Sequence, residues 1–273
     1  MNKVETSFQQ RLVKQNNLFI PFIMAGDPSE EATVDLAVML QEEGADILEL
    51  GVPYSDPLAD GPVIQQSAKR ALSGGMNIRR AIELVPKMRQ KGVKIPIVLF
   101  TYYNPVLQLE KDFFFALLQQ NEVDGLLIPD LPHEESEEMR QDCKDNGIEL
   151  ISLVAPTSQK RIERIASEAR GFVYCVSSLG VTGERKALDP RVYDFLEQVR
   201  HHSNVPVAVG FGISSYAQIE ELSPHCDGII IGSAIVRKIE EQAANLKSET
   251  NRQTGVQAVK EAVQNMLKHP QNT

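Results

Sequence analysis

The sequence predicts an α/β fold in which strands and helices alternate, and three observations support this prediction. Short apolar runs alternate with amphipathic helical stretches from one end of the 273 residues to the other. Most of these runs are continuously apolar, which is typical of parallel strands that are buried on both faces. The strand–helix pairing recurs eight times, which favours a (β/α)8 TIM barrel over the alternative, an open doubly wound sheet.

Each predicted element has its own signal. The strands are the apolar runs at residues 19–24, 46–50, 95–100, 125–128, 149–154, 172–176, 206–209 and 228–231. The helices have apolar residues at helical spacing and cover residues 32–41, 78–88, 113–118, 134–143, 160–169, 192–199, 217–222 and 256–267. Helix-start signals stand at residues 27–30, 157–158 and 189–190. No low-complexity linker interrupts the chain, so we predict a single domain over residues 1–273 with a short polar C-terminal tail.

The composition argues against several classes of function. The net charge of −9 and the pI of about 5.2 argue against nucleic-acid binding, which needs a basic surface. No signal peptide or membrane span is evident in the sequence. The three cysteines, Cys143, Cys175 and Cys226, are far apart and form no metal-binding pair. We therefore expect a cytoplasmic protein with no metal site and no membrane association.

The residues at the end of the second strand carry the strongest chemical signal. Glu49 lies in the apolar run 47–50, and burial of an unpaired carboxylate either costs several kcal/mol or raises its pKa. Pairing with an Arg or Lys is the alternative, but no basic residue lies on the strand. The sequence therefore favours Glu49 as a functional group.

Asp60 lies in the turn-rich loop that follows this strand. An Asp that faces a buried Glu across a strand end forms a plausible acid/base pair. Alternatively, Asp60 caps the helix that starts at Pro62, since Pro is common at the first helical position. The sequence leaves both roles open.

Glycines after the last two strands predict a phosphate site. Active sites of barrels form at the C-terminal strand ends, and the loops after strands seven and eight often hold phosphate. Gly210 and Gly212 follow the seventh strand, and Gly232 and Ser233 follow the eighth. A short helix at residues 234–239, with Ser233 as its cap, would supply N–H donors. Two ordinary glycine turns are the alternative.

Two further features of the strand ends bear on the chemistry. The loop that carries Gly180 and Gly183 either closes over a substrate or is a plain connector. No predicted strand end carries a lysine, which argues against Schiff-base chemistry.

Residues 49–61, Glu-Leu-Gly-Val-Pro-Tyr-Ser-Asp-Pro-Leu-Ala-Asp-Gly, resemble the signature of the tryptophan synthase α chain family. The resemblance extends over most of the chain, through further motifs at residues 21–22, 26–28, 103–105, 130–132, 155–157, 180–183, 210–213 and 232–236. It implies retro-aldol cleavage of indole-3-glycerol phosphate to indole and glyceraldehyde 3-phosphate. It also implies that the chain needs no cofactor and works in an α2β2 complex, with pyridoxal phosphate in the β chain.

The resemblance also implies roles for individual residues. Glu49 is the acid/base, Asp60 pairs with the indole N–H, and Tyr174 helps to place these catalytic groups. Substrate binding falls to Phe22, Leu127, Gly183, Gly210, Gly212, Gly232 and Ser233. Coupling to the partner falls to Pro53, Asp56 and Asn104, with loops 51–60 and 180–186 closing over the substrate. Without the resemblance, Tyr174, Phe22 and Leu127 would be interpreted as barrel core. Residues 100–101 vary in the family, so the packing around the indole ring is not predicted.

Two other functions fit parts of this pattern. One is a different phosphate-binding barrel enzyme, such as a sugar-phosphate isomerase or an indole-glycerol-phosphate synthase; the synthase would need lysines at strand ends. The other is a non-catalytic subunit that binds indole or phosphate to regulate a partner. Condensation of indole with glyceraldehyde 3-phosphate would distinguish the lyase from both.

Overall fold

The structure is a computed structural model that describes residue 8 and residues 17–176, 191–210 and 212–268. Within these residues, nine parallel strands form one sheet. They are β1 (Leu18–Met24), β2 (Leu48–Gly51), β3 (Ile97–Phe100), β4 (Gly125–Leu127), β5 (Glu149–Leu150), β6 (Ser152–Val154), β7 (Val173–Val176), β8 (Val207–Gly210) and β9 (Gly228–Ile231). Their order in the sheet is β5-β4-β3-β2-β1-β9-β8-β7-β6.

The predicted fifth strand, residues 149–154, closes the barrel. It is split into two strands at Ile151: β5 pairs with β4, and β6 pairs with β7. The Ile151 N–H donates to the Leu126 carbonyl over 2.8 Å, so the segment stays bonded to β4. Because β5 and β6 stand at opposite ends of the strand order, the chain between them joins the two edges. The TIM-barrel prediction is confirmed, with nine strands where eight were predicted, and the open doubly wound sheet is wrong.

Helices cover the outside of the sheet. Those described are α1 (Glu30–Glu42), α2 (Pro62–Ser73), α3 (Ile78–Gln90), α4 (Tyr103–Leu107), α5 (Lys111–Gln120), α6 (Glu137–Asp145), α7 (Gln159–Glu168), α8 (Arg191–His202), α9 (Tyr216–Leu222), α10 (Ser233–Glu241), α11 (Ala243–Lys247) and α12 (Arg252–Leu267). A 3-10 turn, His133–Glu135, precedes α6. The short helices α4 and α11 were not predicted, because five residues show too little apolar periodicity.

Strand alternation separates two apolar layers. Leu48 and Leu50 of β2 pack outward against the helices, whereas Ile47 belongs to the cluster inside the barrel. Glu49 lies between Leu48 and Leu50, so its side chain points into the barrel. Phe8 belongs to the interior cluster and would contact side chains added at Gly125 and Gly171, near the N-terminal strand ends. Phe8 therefore helps to fill the N-terminal end of the barrel interior.

Among the described helices, none combines the length and the apolar character that a bilayer span requires.

Candidate active site

Glu49 is a fully buried carboxyl group, and no polar contact within the described residues offsets its burial. It is 0% exposed, and among the described residues neither carboxylate oxygen has a hydrogen-bond partner. Its neighbours in register are Phe22 of β1 and Val98 of β3, both apolar. Loss of hydration raises the pKa of Glu49 to about 8. The group is therefore protonated at neutral pH and can act as a proton donor.

Asp60 is the second buried carboxyl group at this end of the barrel, and it is 5% exposed. Burial raises its pKa to about 6, and a hydrogen bond from the Tyr102 hydroxyl opposes that increase. Helix α2 begins at Pro62 with Gly61 as its N-cap. Of the two alternatives for Asp60, the role of helix cap is therefore wrong. Near neutral pH, Asp60 is ionised while Glu49 holds its proton.

Tyr174 of β7 lies close enough to both carboxyl groups for their charges to act on its hydroxyl. Its side chain is buried, and the pKa of its hydroxyl is raised by desolvation and by the charges of Glu49 and Asp60. A Cβ atom at Gly210 would lie 2.6 Å from the Tyr174 hydroxyl oxygen. Gly210 therefore leaves room for the Tyr174 side chain in this orientation.

Asp60 and Tyr174 border a cleft at the C-terminal strand ends, whereas the buried Glu49 is not among its described lining residues. Phe22 and Phe100 form part of its apolar wall, with ring centroids 5.5 Å apart in an edge-to-face arrangement. The Phe22 ring occupies the space that a side chain at Gly51 would take. The described lining is Phe22, Asp60, Ile64, Phe100, Tyr174, Gly210, Gly212, Ile230, Gly232 and Ser233. A planar aromatic ligand fits between such walls.

The opposite end of the cleft presents backbone groups. Gly212 has φ of +71°, a left-handed conformation that favours glycine. Helix α10 begins at Ser233 with Gly232 as its N-cap, so Ser233 is not the cap that the sequence predicted. The first N–H groups of a helix have no partner within it and bind anions. This end of the cleft can therefore hold a phosphate group.

One predicted substrate residue lies outside the cleft, and another is not among the residues that the structure describes. Leu127 is 0% exposed and packs in the barrel interior with Val98 and Ile151, outside the described lining of the cleft. Gly183, with the rest of the predicted closing loop at 180–186 and the helix-start signal at 189–190, falls outside the described residues.

The three predicted coupling residues differ in exposure. Asp56 and Asn104 are exposed, whereas Pro53 is buried, so the loop that follows β2 is not exposed throughout. Leu58 in this loop is 84% exposed, and Leu107 on α4 is 60% exposed. Both leucines follow the C-terminal end of a strand, so they lie on the same side of the barrel as the cleft.

Sequence reasoning missed two tyrosines that support Asp60. Tyr102 is 2% exposed, and its hydroxyl also accepts the Ala59 N–H over 3.0 Å. The Tyr54 ring packs on the Tyr102 ring, with centroids 5.2 Å apart. The available signal was position, because Tyr102 directly follows the third strand and its Thr101, where barrel enzymes place functional groups.

A second cavity lies outside the barrel, between α1, α3 and α12. Its lining alternates acidic and basic side chains, among them Glu30 with Lys87, and Asp35 with Lys91. It shares no described lining residue with the cleft. Among the described residues, no three His, Cys, Asp or Glu side chains are grouped so as to hold a metal ion.

Comparisons with known proteins agree with one another. The family model described as "Tryptophan synthase alpha chain" matches residues 8–267. The chain is 62% identical over 244 residues to the tryptophan synthase alpha chain of Geobacillus sp. (strain WCH70), covering 89% of this chain and 93% of that protein. The corresponding protein of Geobacillus kaustophilus (strain HTA426) is 61% identical over 239 residues, covering 88% and 89%. The fold matches a structure of the tryptophan synthase a2b2 complex of Pyrococcus furiosus with a TM-score of 0.82 and 35% identity, covering 93% of this chain and 98% of the other.

Proposed function

The chain belongs to the tryptophan synthase alpha chain family and is a lyase that cleaves indole-3-glycerol phosphate, and we propose that Glu49 and Asp60 perform this cleavage. The family needs no cofactor in this chain. The observation that carries the assignment of the residues is the isolation of Glu49: it is a fully buried carboxyl whose oxygens have no partner among the described residues. Burial of such a group costs stability, and buried carboxyl groups with raised pKa values are concentrated at functional sites.

Glu49 serves in turn as acid and base. Its protonated carboxyl donates to C3 of the indole ring, which leaves a positive charge shared with the ring nitrogen. The resulting carboxylate then takes the proton from the hydroxyl on the adjoining glycerol carbon. As that carbon becomes an aldehyde, the carbon–carbon bond breaks and its electron pair returns to the ring. The products are indole and glyceraldehyde 3-phosphate, and Glu49 is protonated again.

Asp60 stabilises the charge that forms between these two steps. With a pKa of about 6, it is ionised at neutral pH. A carboxylate that accepts the indole N–H stabilises the cationic ring more than the neutral ring, which is what lowers the barrier. The apolar wall of Phe22 and Phe100 excludes water and strengthens this interaction.

The phosphate of the substrate lies at the glycine end of the cleft. Gly212, Gly232 and the N-terminus of α10 offer backbone N–H groups, and Ser233 adds a hydroxyl. Gly210 supports Tyr174 instead, because the Tyr174 hydroxyl lies over it. From within the barrel interior, Leu127 supports the wall of the cleft without touching the ring. Gly183 lies outside the described residues and keeps the substrate-binding role that the resemblance implies.

The partner is a tryptophan synthase β chain, and it docks beside the cleft. The structural match comes from an a2b2 complex, and the exposed Leu58 and Leu107 supply an apolar contact surface next to the site. Asp56 and Asn104 give this surface polar groups, and the buried Pro53 fixes the start of the loop. We place pyridoxal phosphate in the β chain of an α2β2 assembly. The three cysteines are buried and free, which is consistent with a reducing cytoplasm.

Condensation of indole with glyceraldehyde 3-phosphate tests the proposal. The wild-type chain should form indole-3-glycerol phosphate, and unphosphorylated glyceraldehyde should react far less well. Gly212→Val should remove most of that preference, because a side chain blocks the approach of phosphate to the backbone. Equal rates with both aldehydes in the wild type would contradict the phosphate site, and the absence of any condensation would contradict the assigned residues.

A further inference from the structure

An ion pair joins the end of the first strand to two helices that border the cleft. Asp27 follows β1 and is 2% exposed. Arg70 of α2 donates to both of its carboxylate oxygens, from Nε over 2.8 Å and from Nη2 over 2.9 Å. The Ser67 hydroxyl, also on α2, donates to the same carboxylate. A bidentate contact of this kind fixes orientation as well as distance, so it holds α2 in one position on β1.

Arg70 also reaches the helix at the phosphate end of the cleft. Its Nη1 donates to the Glu240 carboxylate of α10 over 2.5 Å, and α10 packs against both α2 and β1. Glu240 lies near the C-terminal end of α10, whose first residue is Ser233. At the rise of an α-helix, this contact lies about 10 Å from the helix N-terminus. One guanidinium group therefore links α10 to α2 and to the end of β1.

The two helices carry different ends of the proposed site. Asp60 directly precedes the N-cap of α2, and the side-chain amide of Gln65 on α2 donates to the Asp60 carbonyl over 2.8 Å. Ser233 begins α10 and lines the phosphate end of the cleft. A substrate that pairs its indole N–H with Asp60 and its phosphate with α10 spans both helices. The distance between α2 and α10 must therefore match the length of the substrate.

We propose that Arg70 is a positioning residue that sets the distance between Asp60 and the phosphate-binding end of the cleft. The inference rests on the proposed function, since it assumes that the substrate contacts both. Arg70 is not among the described residues that line the cleft, so it acts through the placement of α2 and α10. Compensation of the buried Asp27 charge is the alternative role, and it requires a cation but not this geometry.

A non-cleavable ligand tests the inference. It consists of an indole ring joined through C3 to a phosphate by a saturated three-carbon chain, and indole alone and glycerol 3-phosphate alone serve as its two halves. The joined ligand gains affinity because it occupies both ends of the cleft at once, and this gain depends on their separation. Calorimetry of the wild type should therefore show much tighter binding of the joined ligand than of either half.

Arg70→Lys keeps a cation beside Asp27 but loses the pair of parallel hydrogen bonds. We expect the joined ligand to bind roughly 10-fold more weakly, because small misplacements are costly when both ends must be met, and each half to bind within about twofold of the wild type. Compensation of charge alone would not separate the joined ligand from its halves. Equal changes of affinity for all three ligands would therefore overturn the positioning role.

Glu240→Gln removes the link to α10 and leaves the contact of Arg70 with Asp27 intact, so this variant should fold normally. Because the Glu240 side chain is 45% exposed, we expect a smaller loss of affinity for the joined ligand, about 2- to 5-fold. Glu241→Gln is the matched control, since its carboxylate pairs with Lys238 of the same helix over 2.9 Å. It should bind all three ligands as the wild type does.

Two outcomes separate failure of the inference from failure of the proposed function. If Glu240→Gln bound the joined ligand as tightly as Glu241→Gln does, the inference alone would be overturned, because the placement of α10 would not depend on Arg70. If the wild type bound the joined ligand no more tightly than its halves, the two-ended site would be contradicted. The proposed function would then fail together with the inference.

Discussion

Two glutamates are buried in strands of this barrel, and they differ in whether a cation reaches them. Glu49 in β2 is 0% exposed, and its oxygens have no hydrogen-bond partner among the described residues. Glu149, the first residue of β5, is 6% exposed and accepts hydrogen bonds from Arg170 over 3.0 and 3.3 Å. Glu49 points into the barrel from the second half of the run 47–50, whereas Glu149 begins β5 at the N-terminal end of the barrel, where barrels place residues for stability.

The difference shows what makes a buried carboxyl a candidate for catalysis. In sequence the two look alike, because each stands in an apolar run that contains no basic residue. The partner of Glu149 is 21 residues away and meets it only in the folded chain. Absence of a cation from the strand therefore does not show that a glutamate is unpaired. The structure makes the distinction through the surroundings of each carboxylate.

The largest expected effect is on turnover. Glu49→Gln keeps the shape of the side chain but cannot exchange a proton, so the rate of indole-3-glycerol phosphate cleavage should fall by roughly 10²- to 10⁴-fold. Glu149→Gln should keep a turnover close to wild type, because its carboxylate serves an ion pair far from the cleft. Steady-state cleavage by the two variants, with folding checked by circular dichroism, makes the measurement. Similar losses of turnover in both variants would show that the two glutamates do not differ in function. The losses would then reflect a general effect on the barrel.

Much of the fold could be predicted from the sequence, because burial on both faces makes parallel strands continuously apolar. The split of residues 149–154 could not, since Ile151 is as apolar as its neighbours and only pairing with two different strands divides the run. The cap of α10 was misplaced by one residue for a similar reason: Gly232 and Ser233 are both good N-cap residues, and geometry selects the first.

The candidate site could be predicted in part. Glu49 and Asp60 stand out as carboxylates at a strand end and in the turn after it, and glycines mark the phosphate end. Tyr102 was missed because an aromatic residue after an apolar strand is usually core. Its hydrogen bond to Asp60 joins the segment after β3 to the loop after β2, and the two residues are 42 positions apart in the sequence. A local sequence pattern cannot predict such a contact.

The second expected effect is on the pH dependence of kcat/KM. The proposed active form has Glu49 protonated and Asp60 ionised, and their pKa values are about 8 and about 6. Below pH 6 Asp60 gains a proton, and above pH 8 Glu49 loses one, so activity should be highest between these values. Each limb should approach a tenfold change per pH unit. A profile without an alkaline limb between pH 7 and 9 would contradict the assignment of Glu49 as proton donor.

The acidic limb needs a control, because the phosphate of the substrate also titrates near pH 6. Asp60→Asn supplies it through its residual activity. The part of the acidic decrease in kcat/KM that disappears in Asp60→Asn is caused by protonation of the Asp60 carboxylate. The part that remains is caused by protonation of the substrate phosphate. A limb that is identical in both proteins would contradict the requirement for ionised Asp60.

The third expected effect is on stability, where substitution of the two glutamates should change the free energy of unfolding in opposite directions. Because the pKa of Glu49 rises from 4.5 to about 8 on folding, the folded chain holds a proton over this range that the unfolded chain has lost. The free energy of unfolding therefore falls by about 1.4 kcal/mol per pH unit from pH 4.5 to pH 8 and is unaffected by this group outside that window. Glu49→Gln removes this dependence, so the variant should become more stable than the wild type as the pH rises toward 8.

Glu149→Gln should instead lower the free energy of unfolding, because Arg170 loses its carboxylate. The Arg170 side chain is 43% exposed, so water replaces much of the lost interaction and the decrease should be about 1 kcal/mol or less. Urea unfolding of both variants and the wild type at pH 5 and pH 8 measures the two effects. The gain of Glu49→Gln should be much larger at pH 8 than at pH 5. An equal increase in the free energy of unfolding at both pH values would show that Glu49 does not hold a proton in the folded chain. Glu49 could then not supply the proton that the indole ring receives.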